Sequence, residues 1–107
     1  MSNNPEDLKL MTLAKATMAR SNSKSAAALR DSTGRTYVAI PVSSGNFEID
    51  SLLSVLVVAK ASQISGIEAI VIAGEIAPTS SIEIIRTEDA KVKLFSITQA
   101  DDLIAIE

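Results

Sequence analysis

Apolar and polar positions alternate along this chain in two rhythms. Leu8, Met11, Ala14 and Met18 recur at helical spacing, with Leu10, Leu13 and Thr17 beside them. Asn4-Pro5-Glu6-Asp7 precedes them: a capping side chain, a proline suited to the first helical position, and two acids at the positive end of the helix dipole. A helix over about residues 5–21 is predicted. The rhythm then changes. Ser25 to Arg30 is small and apolar, Asp31-Ser32-Thr33-Gly34 has Asp first and Gly last as a type I turn prefers, and Arg35 to Val42 is rich in β-formers. These segments predict a β-hairpin with a four-residue connection, Pro41 marking the end of its second strand.

Ser43-Ser44-Gly45-Asn46 reads as a loop, and Glu48 to Gln63 as a second helix closing at Ser65-Gly66, with Gly66 as its cap. Leu52, Leu53, Val55, Leu56, Val57, Val58 and Ala59 leave this helix almost no polar face. A helix apolar all round is buried all round. A chain of 107 residues can hardly cover every side of it, so a second copy is expected on Leu52, Val55, Leu56 and Val58. The alternative is a helix sandwiched within one chain. Ile67 to Ala73 (IEAIVIA) reads as a buried central strand. A loop over Gly74 to Thr79 leads to a short helix, about Ser81 to Asp89, capped by Thr79 or Ser80. Val92 to Ile97 and Leu103 to Ile106 are strands whose short connection makes them antiparallel. The predicted order is α-β-β-α-β-α-β-β, an α/β domain over residues 1–107 with helices on the faces of a mixed sheet.

Composition narrows the functions. Apolar residues make up 47% of the chain, and Tyr37, Phe47 and Phe95 are its only aromatics, so an aliphatic core is expected. The net charge of −3 argues against nucleic acid as a partner. The polar N-terminal residues lack a basic, then apolar, leader pattern. The longest apolar stretch, Val55 to Ala59, is too short to span a membrane. A cytoplasmic setting is expected. The chain contains no histidine and no cysteine. That removes the usual soft metal ligands, the usual general base near neutral pH and the thiolate nucleophile.

What remains is carboxylates, hydroxyls and lysines. Glu48 and Asp50 suit the start of the second helix, and with Glu75 they form an alternative hard-cation site of oxygen ligands. Glu75 follows Gly74 at the C-terminal end of a strand, where open α/β sheets bind ligands, although a solvated loop acid has the same sequence. Ser43-Ser44 could meet an anion at a helix start. Lys24 or Lys60 could act as a base only if strongly desolvated. Glu88-Asp89 and Asp101-Asp102 read as surface and capping acids.

The element order and the segment SAAALRDSTGRTYVAIPV, residues 25–42, resemble the cytidine deaminase superfamily of the nucleoside type. The resemblance covers roughly residues 8–85 and implies a three-layer fold with a mixed sheet of about five strands. In that family the helix after the hairpin opens with a zinc-ligating Cys or His and, two residues on, a proton-shuttling Glu; a later Pro-Cys-x-x-Cys completes the site. Aligned on Gly34-Arg35, the first ligand falls near Leu52 and the acid near Ser54. The second motif falls on Pro78-Thr79-Ser80-Ser81-Ile82, with Thr79 and Ile82 at the thiolate positions. The family's ribose-contacting Asn-x-Glu falls on Pro41-Val42-Ser43. The resemblance thus implies a deaminase-like scaffold with no zinc, no other cofactor and no deaminase catalysis. Its expected role is structural or regulatory, as a homodimer or homotetramer. One alternative is a small-molecule module, for a nucleoside or nucleotide-like ligand. It would use a remnant pocket drawn from Ser43, Glu48, Asp50, Leu52, Ser54, Glu75, Pro78, Thr79 and Ile82. Another is residual or altered hydrolase or nucleoside deaminase activity.

Overall fold

A computed structural model describes residues 4–107. Helix α1 (Pro5–Ser21) starts as its sequence dictates, with the Asn4 side chain accepting from the backbone N–H of Glu6 at 2.8 Å and of Asp7. Strands β1 (Ser25–Asp31) and β2 (Thr36–Ala39) form the predicted antiparallel hairpin. The next strands, β3 (Val42–Ser44) and β4 (Phe47–Ile49), pair only with each other. Helix α2 (Ser51–Ala61), strand β5 (Ile67–Gly74), helix α3 (Thr79–Glu88) and strands β6 (Lys93–Ile97) and β7 (Leu103–Ala105) complete the chain.

The main sheet runs β2-β1-β5-β6-β7. Only β5 and β6 are parallel, joined across α3, and the other neighbours are antiparallel. The sheet is therefore mixed, and β1 and β5 lie inside it. Both are buried on both faces, which is why they read as nearly unbroken apolar runs. Alternation along them divides the core. Ala28, Ala69, Val71 and Ala73 meet Leu10 and Ala14 of α1 on one face; the alanines let that helix sit close to the sheet. Ala27, Leu29, Ile70 and Ile72 meet Leu52, Val55, Leu56 and Ala59 of α2 and Ile85 of α3 on the other. The result is three layers: one helix, the sheet, two helices. Of the aromatics, Phe95 is buried, Tyr37 half-buried and Phe47 exposed, so the core is largely aliphatic, as expected.

Two contacts fix this frame. Gly74 ends β5 with φ 83, opposite Ser25 in the β1–β5 register. A side chain there would place its Cβ 2.2 Å from the Lys24 carbonyl oxygen, so glycine alone allows the two strand ends to meet. Arg30, buried in β1, reaches across the sheet face to Asp7 of α1 at 2.9 Å and also bonds Glu68 of β5. Burial works against its charge, but the hydrogen bonds to Asp7 and Glu68 outweigh it and leave the guanidinium pKa raised.

Several boundaries differ from the sequence reading. Val42 to Ile49 is a small hairpin rather than a loop leading into a helix. Gly45, at φ 53, supplies the positive value that the first central position of a tight hairpin connection can demand. Glu48 consequently lies in β4, not in α2. Helix α2 starts only at Ser51, because Asp50 caps it and accepts from Leu52 N at 2.9 Å and Leu53 N at 3.2 Å. Its end is made by Ser62 and by Gln63, at φ 62; Gly66 is not its cap. Helix α3 begins two residues earlier than predicted. Its N-cap is Pro78, which makes no side-chain capping bond, so neither Thr79 nor Ser80 is the cap.

Candidate functional site

The starts of α2 and α3 meet beside the C-terminal end of β5 and the beginning of β1. There they enclose a cleft of about 780 Å³. Ser43, Glu48, Asp50, Glu75 and Pro78 line it, as the sequence reading proposed. Leu52, Ser54, Thr79 and Ile82 do not. Leu52 has no exposed surface and packs in the core between sheet and α2. Ser54 is buried in the second turn of the same helix. Thr79 is exposed outside the cleft, and Ile82 packs half-buried against the core. In α2, which begins at Ser51, Leu52 and Ser54 are buried away from the cleft, while Asp50, Ser51 and Leu53 line it.

The sequence reading passed over the residues that take those places. Ser51 and Ser81 are both buried in the cleft wall. Asp50 uses one carboxylate oxygen to cap α2, while the other accepts from Ser81 Oγ of α3 at 2.5 Å. Ser25 Oγ of β1 donates to Ser51 Oγ at 3.1 Å. The signal was present: Asp-Ser directly ahead of an apolar run is a helix-start pattern, and it outcompetes Glu48 for that role.

Neither metal chemistry fits this donor set. Tetrahedral zinc needs three strong protein ligands, usually thiolates or imidazoles, whereas the floor of the cleft offers one carboxylate, already engaged, and three hydroxyls. Glu48 and Glu75 line the same cleft but do not converge with Asp50. Among the described residues, no three acids are grouped to hold a metal ion, and this corrects the hard-cation alternative. Two side chains with displaced titration lie elsewhere, Arg30 under α1 and Asp31 at the β1–β2 turn. Asp31 lines a smaller recess of about 400 Å³ with Thr33, Arg35, Tyr37 and Ile64, but its carboxylate is consumed by bonds within its own turn.

Helix α2 presents two unlike faces. Leu52 and Val55 have no exposed surface and Leu56 almost none, so these three belong to the chain's own core. Val57 and Val58, at 58% and 39% exposure, face outward with half-buried Leu53. Among the four residues expected to meet a second copy, Val58 alone is exposed.

Layers, strand order and a cleft at two helix starts define a three-layer α/β protein with a mixed five-stranded sheet. The chain belongs to the cytidine deaminase-like family, whose model matches residues 3–101. Three solved structures share its fold. Cytidine deaminase from Burkholderia pseudomallei superposes with a TM-score of 0.75 at 21% identity, over 100% of this chain and 93% of that one. The enzyme from Bacillus anthracis gives 0.74 at 16% identity, over 96% and 83%. That from Mycobacterium leprae gives 0.69 at 14%, over 91% and 90%. No curated protein matches the chain. No helix among the described residues is long and apolar enough to cross a membrane.

Proposed function

We propose that this chain is a cytidine deaminase-like protein without zinc-dependent deamination, serving a structural or regulatory role as a homodimer or homotetramer in the cytoplasm. The floor of the cleft carries this reading. Deamination of a nucleoside base needs a metal-bound hydroxide, because free water, with a pKa of about 15.7, supplies almost none at neutral pH. The reading is supported by a chain with no histidine and no cysteine, whose helix starts offer one engaged carboxylate among hydroxyls in place of the thiolates and imidazoles that usually hold such a metal. The outward valines of α2 support the assembly, since an exposed helix face is ordinarily polar.

A second reading is favoured by the cleft itself. Its volume suits a small molecule, and its wall combines serine hydroxyls with apolar Ile49, Leu53 and Ala77. Against one lysine, Lys24, stand Glu48, Asp50 and Glu75. That balance favours an uncharged nucleoside-sized ligand over a phosphorylated one.

One preparation tests both readings. The purified protein is incubated with cytidine and with deoxycytidine, and uridine formation, metal content and thermal midpoint are measured on the same sample. No deamination and no stoichiometric zinc are expected. Uridine produced at an enzymatic rate would refute the main reading. A midpoint raised by a few degrees with either nucleoside supports the second, and an unmoved midpoint across nucleosides removes it.

A further inference from the structure

We infer that the Asp50–Ser81 hydrogen bond is a clasp that joins the starts of α2 and α3 and closes the floor of the cleft without a metal ion. This inference rests on the zinc-free reading above. One carboxylate serves two helices. Its Oδ1 accepts from Leu52 N and Leu53 N of α2, and its Oδ2 accepts from Ser81 Oγ, in the first turn of α3. Helix α3 has no side-chain cap of its own, because Pro78 stands at its N-cap. The Asp50 charge therefore complements the positive ends of two dipoles at once. Ser81 is only 3% exposed, so water competes little for its hydroxyl, and a hydrogen bond to an ionised acceptor in such a place is among the stronger kinds.

Behind the clasp, buried Ser25 and Ser51 bond each other and tie the same floor to β1. Three elements from distant parts of the chain thus meet through side-chain oxygens at the starts of the two helices. The consequence is a fold whose helix pair is held independently of any ion, and a carboxylate withdrawn from ligand binding.

A double-mutant cycle tests it, read by urea unfolding. Asp50→Ser retains a capping oxygen for α2 but is too short to reach Ser81. Ser81→Ala is expected to lower the folding equilibrium constant about tenfold in the wild-type background and less than about twofold beside Asp50→Ser. If Asp50→Ser does not fold, Asp50→Asn takes its place; it keeps the cap but not the charge, and the Ser81→Ala loss is expected to be smaller there than in wild type. Equal losses in both backgrounds would overturn the clasp and leave the proposed function standing. A chelator is expected to leave the wild-type unfolding midpoint unchanged. Stoichiometric zinc whose removal lowers that midpoint would overturn both.

Discussion

The Asp31 carboxylate is buried, which by itself would push its pKa up. It nevertheless lies below the ordinary carboxylate value, because the Thr33 hydroxyl donates to it at 2.7 Å and the Arg35 and Thr33 backbone N–H groups at 2.9 Å, with a longer bond from Tyr37. A group whose pKa falls on folding stabilises the native state above its unfolded value, about 3.9, and that stabilisation is lost as pH drops through the folded value. Wild-type protein is therefore expected to exceed Asp31→Asn in stability at neutral pH, with the gap closing below about pH 4. Urea midpoints taken across that range measure it; a gap that widens toward acid would contradict the assignment. This turn was readable from the sequence, since Asp first and Gly last serve local bonds within five residues. Asp50 and Ser81 were not readable as a pair. They are 31 positions apart, and their contact exists only once two helix starts have been brought to one strand end.

At the scale of elements, α1, β1 and β5 were legible because each is fixed by a strong local pattern: a capped helical repeat in the first case, continuous apolar runs in the other two. The β3–β4 hairpin was not. Its strands are three residues each and almost wholly exposed, so no burial rhythm announces them. Missing the hairpin displaced the start of α2, whereas Leu52 and Ser54 were placed by alignment on Gly34-Arg35. The junction of α1 with the sheet was equally hidden, because Asp7 reads as a first-turn acid and Arg30 as the end of a strand. Together they form a buried ion pair, with Arg30 Nη1 left unpartnered. An arginine cannot discard its charge, so removing Asp7 leaves the buried guanidinium with half-exposed Glu68 as its remaining carboxylate partner. Asp7→Ala removes one of its two charged partners and is expected to destabilise by about 1.5–3 kcal/mol. The double variant Asp7→Leu/Arg30→Met, which removes both charges and keeps apolar volume, is expected to cost less than Asp7→Ala alone. Chemical denaturation of the two variants side by side decides between this account and one in which the pair adds net stability.

At the scale of the whole molecule, the sequence offered one fact about α2, an almost unbroken apolar surface, and two ways to satisfy it. The structure shows burial within one chain on one side only. The sheet takes Leu52, Val55 and Leu56, while Val57 and Val58 remain outside. The two outcomes separate experimentally because neighbouring valines differ only in where the helix turns them. Val55→Asp places a charge in the aliphatic core, where nothing pairs with it, and is expected to unfold the protein outright, a loss of more than about 4 kcal/mol. Val57→Asp puts the same charge in solvent and is expected to change the stability of one chain by no more than about 0.5 kcal/mol. In an assembly built on this face the charge would be trapped between copies, so Val57→Asp is expected to yield a folded monomer by light scattering while wild type scatters as a dimer or tetramer at micromolar concentration. A wild-type monomer under those conditions would mean that the outward valines serve no self-association, and the structural role proposed for the chain would lose its physical basis.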